Sequence, residues 1–239
     1  MVNIEVLYEE YANLYGDRGN IKYIEKVTRN VNVIHTSLKE KPKFLTEKID
    51  LVYLGPTTEK QQETIIEILS KYKNEIKQKI EEGQNILVTG NSIEIFGTHI
   101  VNTDGSLIEA LDIFDVYAKR ISRLRHNDLV MGNLVENNEI KIVGFKNQMS
   151  HLYGEDTNYF VKLEYGSGRD GKEKQEGIRY KGFIGTYILG PILALNPDFA
   201  SYLFTKLNIE EEQGNIQEDA KKAYEFRVEE FNKFLKNEK

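Results

Sequence analysis

Apolar positions along the first ninety residues switch between two periods. Ile4-Glu5-Val6-Leu7-Tyr8 reads as a strand, Asn20 to Val27 carries apolar residues at helical spacing, and Val31-Asn32-Val33-Ile34-His35 returns to the strand pattern. A third strand, Ile49 to Leu54, is ended by Gly55-Pro56. Thr58 with Gln61 three residues on predicts a capping box. Ile65, Leu69, Tyr72, Ile76 and Ile80 then form one stripe of a single long helix that Gly83 closes. Asn85 to Thr89 is a buried strand running into Gly90-Asn91-Ser92. Strands joined through crossover helices imply an α/β fold, a twisted and mostly parallel sheet with flanking helices.

The rhythm changes in the second half. Asn102-Thr103-Asp104-Gly105 and Glu136-Asn137-Asn138-Glu139 are turn signals between alternating apolar segments, so residues from about 98 to 188 are predicted to form an antiparallel strand extension. Gly166 to Gly171 reads as a flexible loop. A helix is expected from Phe199 to Leu207, after Pro191 and Pro197. Past Gly214 a last amphipathic helix places Ala220, Tyr224, Val228, Phe231 and Leu235 on one side. Residues 1–207 are taken as one domain. The segment 208–239 is taken as a helix packed on that domain, in preference to one offered to a partner or to a second copy in a homo-oligomer.

Composition narrows the function classes. No apolar run approaches the roughly 18 to 20 residues that span a bilayer. The N-terminus begins directly as an alternating strand without a secretory pattern, so a cytoplasmic location and no membrane role are expected. With 32 Lys+Arg against 38 Asp+Glu the formal net charge is −6, which argues against nucleic acid as a partner. There is no cysteine, which removes disulfides, thiolate metal sites and every thiol nucleophile together. His35, His99, His126 and His151 show no metal-binding spacing, so no metal and no cofactor are expected. Lys119, Arg120, Arg123, Arg125 and His126 form the one local basic cluster, read as a solvated strand face. Gly16-Asp17-Arg18-Gly19 links strand to helix but lacks the lysine and Ser/Thr of a phosphate-binding loop, and is read as structural.

Ligand sites of open α/β sheets lie at the carboxyl ends of the strands, which points to Gly55-Pro56-Thr57-Thr58 and Thr89-Gly90-Asn91-Ser92. With these loops, the segments Asn13 to Asn20, Asp50 to Gln62, Gly90 to Gly97, Thr103-Asp104-Gly105 and Gly185 to Leu193 fall in the order seen in class I glutamine amidotransferases. The chain most resembles the cobyric acid synthase amidotransferase domain and the glutaminase subunit of lipid II isoglutaminyl synthase. That resemblance implies a flavodoxin-like α/β domain and a place in peptidoglycan amidation beside an ATP-dependent, Mur-ligase-like synthetase.

The same resemblance implies a cysteine on the elbow, where this chain has Gly90, and a histidine two residues before the proline of the Gly-Thr-Tyr motif, where it has Leu189. It implies a backbone donor from the loop after the third strand, where Pro56 follows Gly55 and has no N–H. An arginine that holds the glutamine α-carboxylate is replaced by His151. Gly55, Pro56, Asn91, Ser92 and His151 are therefore expected to outline a vestigial glutamine pocket, reduced in size and more apolar than a working cleft, with His151 at its rim. The leading expectation is a catalytically inactive scaffold or regulatory subunit. The alternatives are an enzyme of altered chemistry using Ser92, Glu94 or His151, and an amino-acid sensor that binds without cleaving. Ser92 is read first as a helix cap.

Overall fold

A computed structural model describes residues 1–121, 125–155, 158–212 and 214–237. Its organising sheet has six strands in the spatial order Ile178–Tyr180, Phe183–Thr186, Ile86–Thr89, Leu51–Leu54, Val2–Leu7 and Val31–Thr36. All neighbours pair in parallel except the first two. The three strands at its centre read as unbroken apolar runs because both of their faces are covered. Val52, Leu54, Ile86 and Val88 share one core with Ile65, Leu69, Ile76 and Ile80. Leu51, Tyr53 and Leu87, on the alternate positions, share the other with Ile21, Ile24, Phe199 and Leu203.

The stripe expected to form one helix forms two, Glu59–Ser70 and Lys73–Glu81. The predicted capping box is present at Thr58 and Gln61. The break falls at Lys71 and Tyr72, where no Gly or Pro signals it. Beyond it the second helix turns onto the short 3-10 turn Lys43–Leu45, with Lys41 bonded to Glu75 at 3.0 Å and its ammonium over the Tyr72 ring. Tertiary contact, not local propensity, sets this bend.

Two four-stranded sheets make the extension. One is antiparallel, ordered Asn137–Gln148, His126–Leu134, Val161–Tyr165 and Gln175–Glu176. The other is ordered Ser150–Gly154, Val116–Arg120, His99–Val101 and Leu107–Glu109, with its middle pair parallel. The last strand of the segment expected to be antiparallel, Phe183–Thr186, instead rejoins the main sheet in parallel beside Ile86–Thr89. A run such as Phe-Ile-Gly-Thr carries no periodicity that would tell the two pairings apart.

The loop Gly166 to Gly171 is tied down rather than free. Lys146 Nζ donates to the Gly168 carbonyl at 2.6 Å and lies 3.4 Å from Glu176, both side chains fully buried. Ser167 bonds Asp128 through its backbone and hydroxyl. The C-terminal helix Asn215–Asn237 packs Tyr224 and Phe231 against Met131 and Val143, and Tyr224 donates to the Lys141 carbonyl at 2.9 Å. Among the described residues no helix is long and apolar enough to cross a membrane.

Candidate functional site

Three parallel strands end side by side, and their loops converge. After Leu54 comes Gly55-Pro56-Thr57, after Thr89 comes the 3-10 helix Gly90–Phe96, and after Thr186 comes Tyr187-Ile188-Leu189. Gly90 sits at φ +61, the left-handed conformation that favours glycine and that a sharp strand-to-helix elbow demands. A Cβ on it would lie 2.5 Å from the Pro56 Cβ, 3.3 Å from the Pro56 Cα and 3.4 Å from Leu189 Cδ2. The loop at Pro56 and the segment at Leu189, far apart in the chain, thus close on Gly90 from both sides. Leu189 is buried and held in place by its N–H, which donates to the Phe145 carbonyl at 2.8 Å.

In the loop opposite the elbow, neither Pro56 nor Thr57 has a backbone donor to spare. Pro56 lacks an N–H, and that of Thr57 donates to Asn91 Oδ1 at 2.9 Å. Ser92 is fully buried, and its hydroxyl donates to the Gly55 carbonyl at 2.6 Å. It is neither the helix cap expected of it nor a nucleophile within reach of solvent. It fastens the two loops together.

His151 does not stand at the rim. Side chains alternate along Ser150–Gly154, so Ser150 faces the elbow while His151 turns to the opposite side, with its ring 5.1 Å from that of His126. Burial, and then the neighbouring His126, hold its pKa below the usual histidine value. With Ser92 and His151 on separate faces, the pairing of the two as nucleophile and base has no geometry behind it.

The cleft beside Gly90 has a volume of 20 Å³, room for about one or two waters. It is small, as expected, but not apolar. At its centre Glu94, 1% exposed, accepts from Ser150 Oγ, from Tyr187 Oη at 2.9 Å and from Gln62 Nε2 at 3.0 Å. Burial pushes this carboxyl up from its ordinary pKa against the pull of those donors. Arg120, one member of the basic cluster, turns inward to reach Gln62 Oε1 at 3.2 Å, Asn102 at 2.7 Å and Glu63 at 2.9 Å. Arg125 bonds the Tyr15 hydroxyl and Asn147 at the mouth. Arg123 lies outside the described residues. The cluster read as a solvated face therefore contributes two of its members to the site.

Beneath the elbow lies a second polar group that the sequence reading passed over. Asp17, in the loop taken as merely structural, is 1% exposed and accepts from Tyr53, Thr89 and Asn20. Asn20 in turn accepts from the Leu193 backbone at 2.8 Å, so the network joins the N-terminal loop, two strand ends and the segment after Pro191. Burial raises the Asp17 pKa from 3.8 to about 6 in spite of these bonds. Below about pH 4 the group is protonated folded and unfolded alike. Between about 4 and 6 the unfolded chain loses the proton first, so stability falls as pH rises, by about 3 kcal/mol in all, and levels off above 6. Denaturant unfolding at stepped pH is expected to show this decline, and Asp17→Asn is expected to flatten it by about that amount.

Glu94 had a signal in the sequence, four residues past the elbow glycine on the segment predicted to be helical. Tyr187 had one too, as the tyrosine of the Gly-Thr-Tyr motif. Gln148 and Ser150 had none, since their place in the cleft depends on how the antiparallel extension folds back over the main sheet.

Residues 3–197 match the family described as the CobB/CobQ-like glutamine amidotransferase domain. The chain is 30% identical over 197 residues to the lipid II isoglutaminyl synthase (glutamine-hydrolyzing) subunit GatD of Staphylococcus aureus, covering 81% of this chain and 79% of that protein. It is 29% identical over 212 residues to the GatD subunit of Streptococcus pneumoniae, covering 85% and 79%. Among solved structures it resembles a glutamine amidotransferase at TM-score 0.55 and 11% identity, covering 85% of this chain and 98% of that one. Another, from Thermotoga maritima, matches at TM-score 0.51 and 11% identity, covering 86% and 83%. These two likenesses establish the class I amidotransferase-like fold.

Proposed function

Because the chain belongs to the CobB/CobQ-like glutamine amidotransferase family, we propose that it is a silent member, a subunit that does not hydrolyse glutamine. The observation that carries this reading is the elbow itself. Gly90 has no side chain, the chain holds no cysteine, and even a Cβ at this position would press on Pro56. A thioester needs a thiol, and no thiol exists here to form one. Leu189 stands against the elbow where a base would have to act, and it can neither accept nor give a proton. The narrowness of the cleft speaks against a sensor that holds a whole amino acid.

The relatives are named as subunits of a lipid II isoglutaminyl synthase. On that basis the chain is a scaffold or regulatory partner of an ATP-dependent, Mur-ligase-like amide synthetase, one that takes its nitrogen from a source other than glutamine. The test is to purify the chain with its synthetase and supply either ammonium chloride or glutamine as nitrogen donor. Amide product with ammonium and none with glutamine is expected. Equal product from glutamine would remove the silent-subunit reading, and failure to co-purify with any such synthetase would remove the scaffold role.

A further inference from the structure

The bonds that fasten the loop Gly166 to Gly171 meet at two histidines. His126 Nε2 lies 2.9 Å from the Ser167 hydroxyl, which donates to Asp128 at 2.6 Å and therefore accepts from His126. The His151 ring stands T-shaped to that of His126, 5.1 Å away, and is pressed against Gly171. A Cβ on Gly171 would come within 2.3 Å of His151 Cε1 and 2.7 Å of Nδ1, so the loop backbone closes directly onto the ring. His151 Nδ1 is buried there without a hydrogen-bond partner.

An imidazole carries one N–H when neutral and two when charged. Neutral His151 fits under the loop with its proton on Nε2 and a bare lone pair at Nδ1. The charged ring does not fit, because its second N–H would be a buried, unpaired donor on a cation, which costs far more than an unused lone pair. Lys119 stands opposite His151 on the neighbouring strand with Tyr117 two residues before it, Tyr153 follows on its own strand, and Lys146 and Lys172 act on it as further cations. Lys146 is committed to Gly168 and Glu176. Asp128 is engaged by Ser167, and Asp170 accepts from the Lys172 and Glu173 N–H groups at 2.9 and 2.8 Å. Burial, and then His126 and Lys146, hold the His151 pKa below the ordinary 6.5, with Asp170 pulling the other way.

We propose that His151 and the loop Gly166 to Gly171 form a proton-sensitive latch, closed while the ring is neutral and released when it takes a proton. Release widens the cavity of 310 Å³ lined by Tyr153 and Glu155 of the strand side and by Asp170 and Glu173 of the loop side. It also takes the Gly168 carbonyl from Lys146 Nζ, leaving that buried ammonium to Glu176, which accepts from the Tyr187 N–H at 2.9 Å on the segment that closes on Gly90. The latch stands whether or not glutamine is hydrolysed. The released ring binds a proton with ordinary affinity and the closed ring with less, so the latch holds above about pH 6.5 and loosens progressively below it. That sign is opposite to the Asp17 contribution, so the latch is read locally.

The experiment is amide hydrogen exchange on the full chain at about pH 7.5 and about pH 5.5, corrected for the intrinsic pH dependence of exchange. It is read at Leu152, Gly168 and Arg169, whose N–H groups bond the carbonyls of Arg169, Glu173 and Gln175 across the latch. Protection at these three is expected to fall by up to about tenfold at the lower pH, the limit set by one unit below the ordinary pKa. Protection in the strand Ile86–Thr89 is not expected to fall. His151→Gln matches the reach of the neutral ring and cannot be charged, so it is expected to keep the loop protected at both pH values. Should that variant fail to fold or hold the loop open throughout, the His151 ring proton titrated by NMR in the unaltered chain decides, with a midpoint expected below 6.5. Unchanged loop protection between the two pH values overturns the proposal. So does a fall that persists in folded His151→Gln, which would assign it to His126 and Asp128, and so does a His151 midpoint at or above 6.5.

Discussion

Placing a cysteine at the elbow and a histidine against it, Gly90→Cys with Leu189→His, is expected to leave glutamine turnover at or near the blank. The obstacle is the loop across from the elbow. A Cβ at position 90 would approach the Pro56 Cβ to 2.5 Å, so either the elbow or the proline must move before the thiol can stand at the strand end. The backbone there is already at φ +61, where a non-glycine residue costs about 1 to 2 kcal/mol more. Oxyanion stabilisation is short of a donor as well, because Pro56 has no N–H and that of Thr57 is taken by Asn91. One such donor is worth roughly 2.7 to 4 kcal/mol, or about a hundredfold to a thousandfold in turnover. Adding Pro56→Gly to the double variant removes the steric block and returns an N–H, and is the change expected to bring the first measurable activity. The check is glutamate production by the purified double and triple variants, with melting temperatures to confirm that each folds. Full turnover in the double variant would show that the Gly55-Pro56-Thr57 loop is no barrier and that silence rests on two residues.

The parallel sheet was legible because its central strands are fully buried and bounded by turns. Leu51–Leu54 and Ile86–Thr89 are short apolar runs that end in Gly55-Pro56 and Gly90-Asn91-Ser92, which places both loops at the carboxyl edge. Position 90 was legible for the same reason, and position 189 through its distance from Pro191. What escaped was everything decided across the fold. His151 follows from the phase of a strand whose register is fixed only by pairing with Val116–Arg120. A shift of one residue exchanges the two faces, so Ser150 and His151 trade places without any change in composition. The apolar vestige expected at the cleft is replaced by a buried polar cluster because Glu94 lies one helical turn beyond Gly90 and is met there by donors from three distant segments. Asp17 was hidden by its setting in a polar loop, where nothing local distinguishes a buried aspartate from a solvated one.

The central claim is that this amidotransferase-like chain has no glutaminase chemistry, and its expected effect is the largest of all. Loss of the nucleophile or base of a hydrolytic set costs about 10⁶ in turnover, with little more when both are gone, because the groups act as a unit. The direct measurement is glutamate released from glutamine by the purified chain, alone and bound to its synthetase, against a buffer blank. The account predicts no release above the blank in either state. Sustained release that survives Ser92→Ala would contradict it outright, since a chain without cysteine would then be cleaving glutamine by a route that uses neither Gly90 nor the Ser92 hydroxyl.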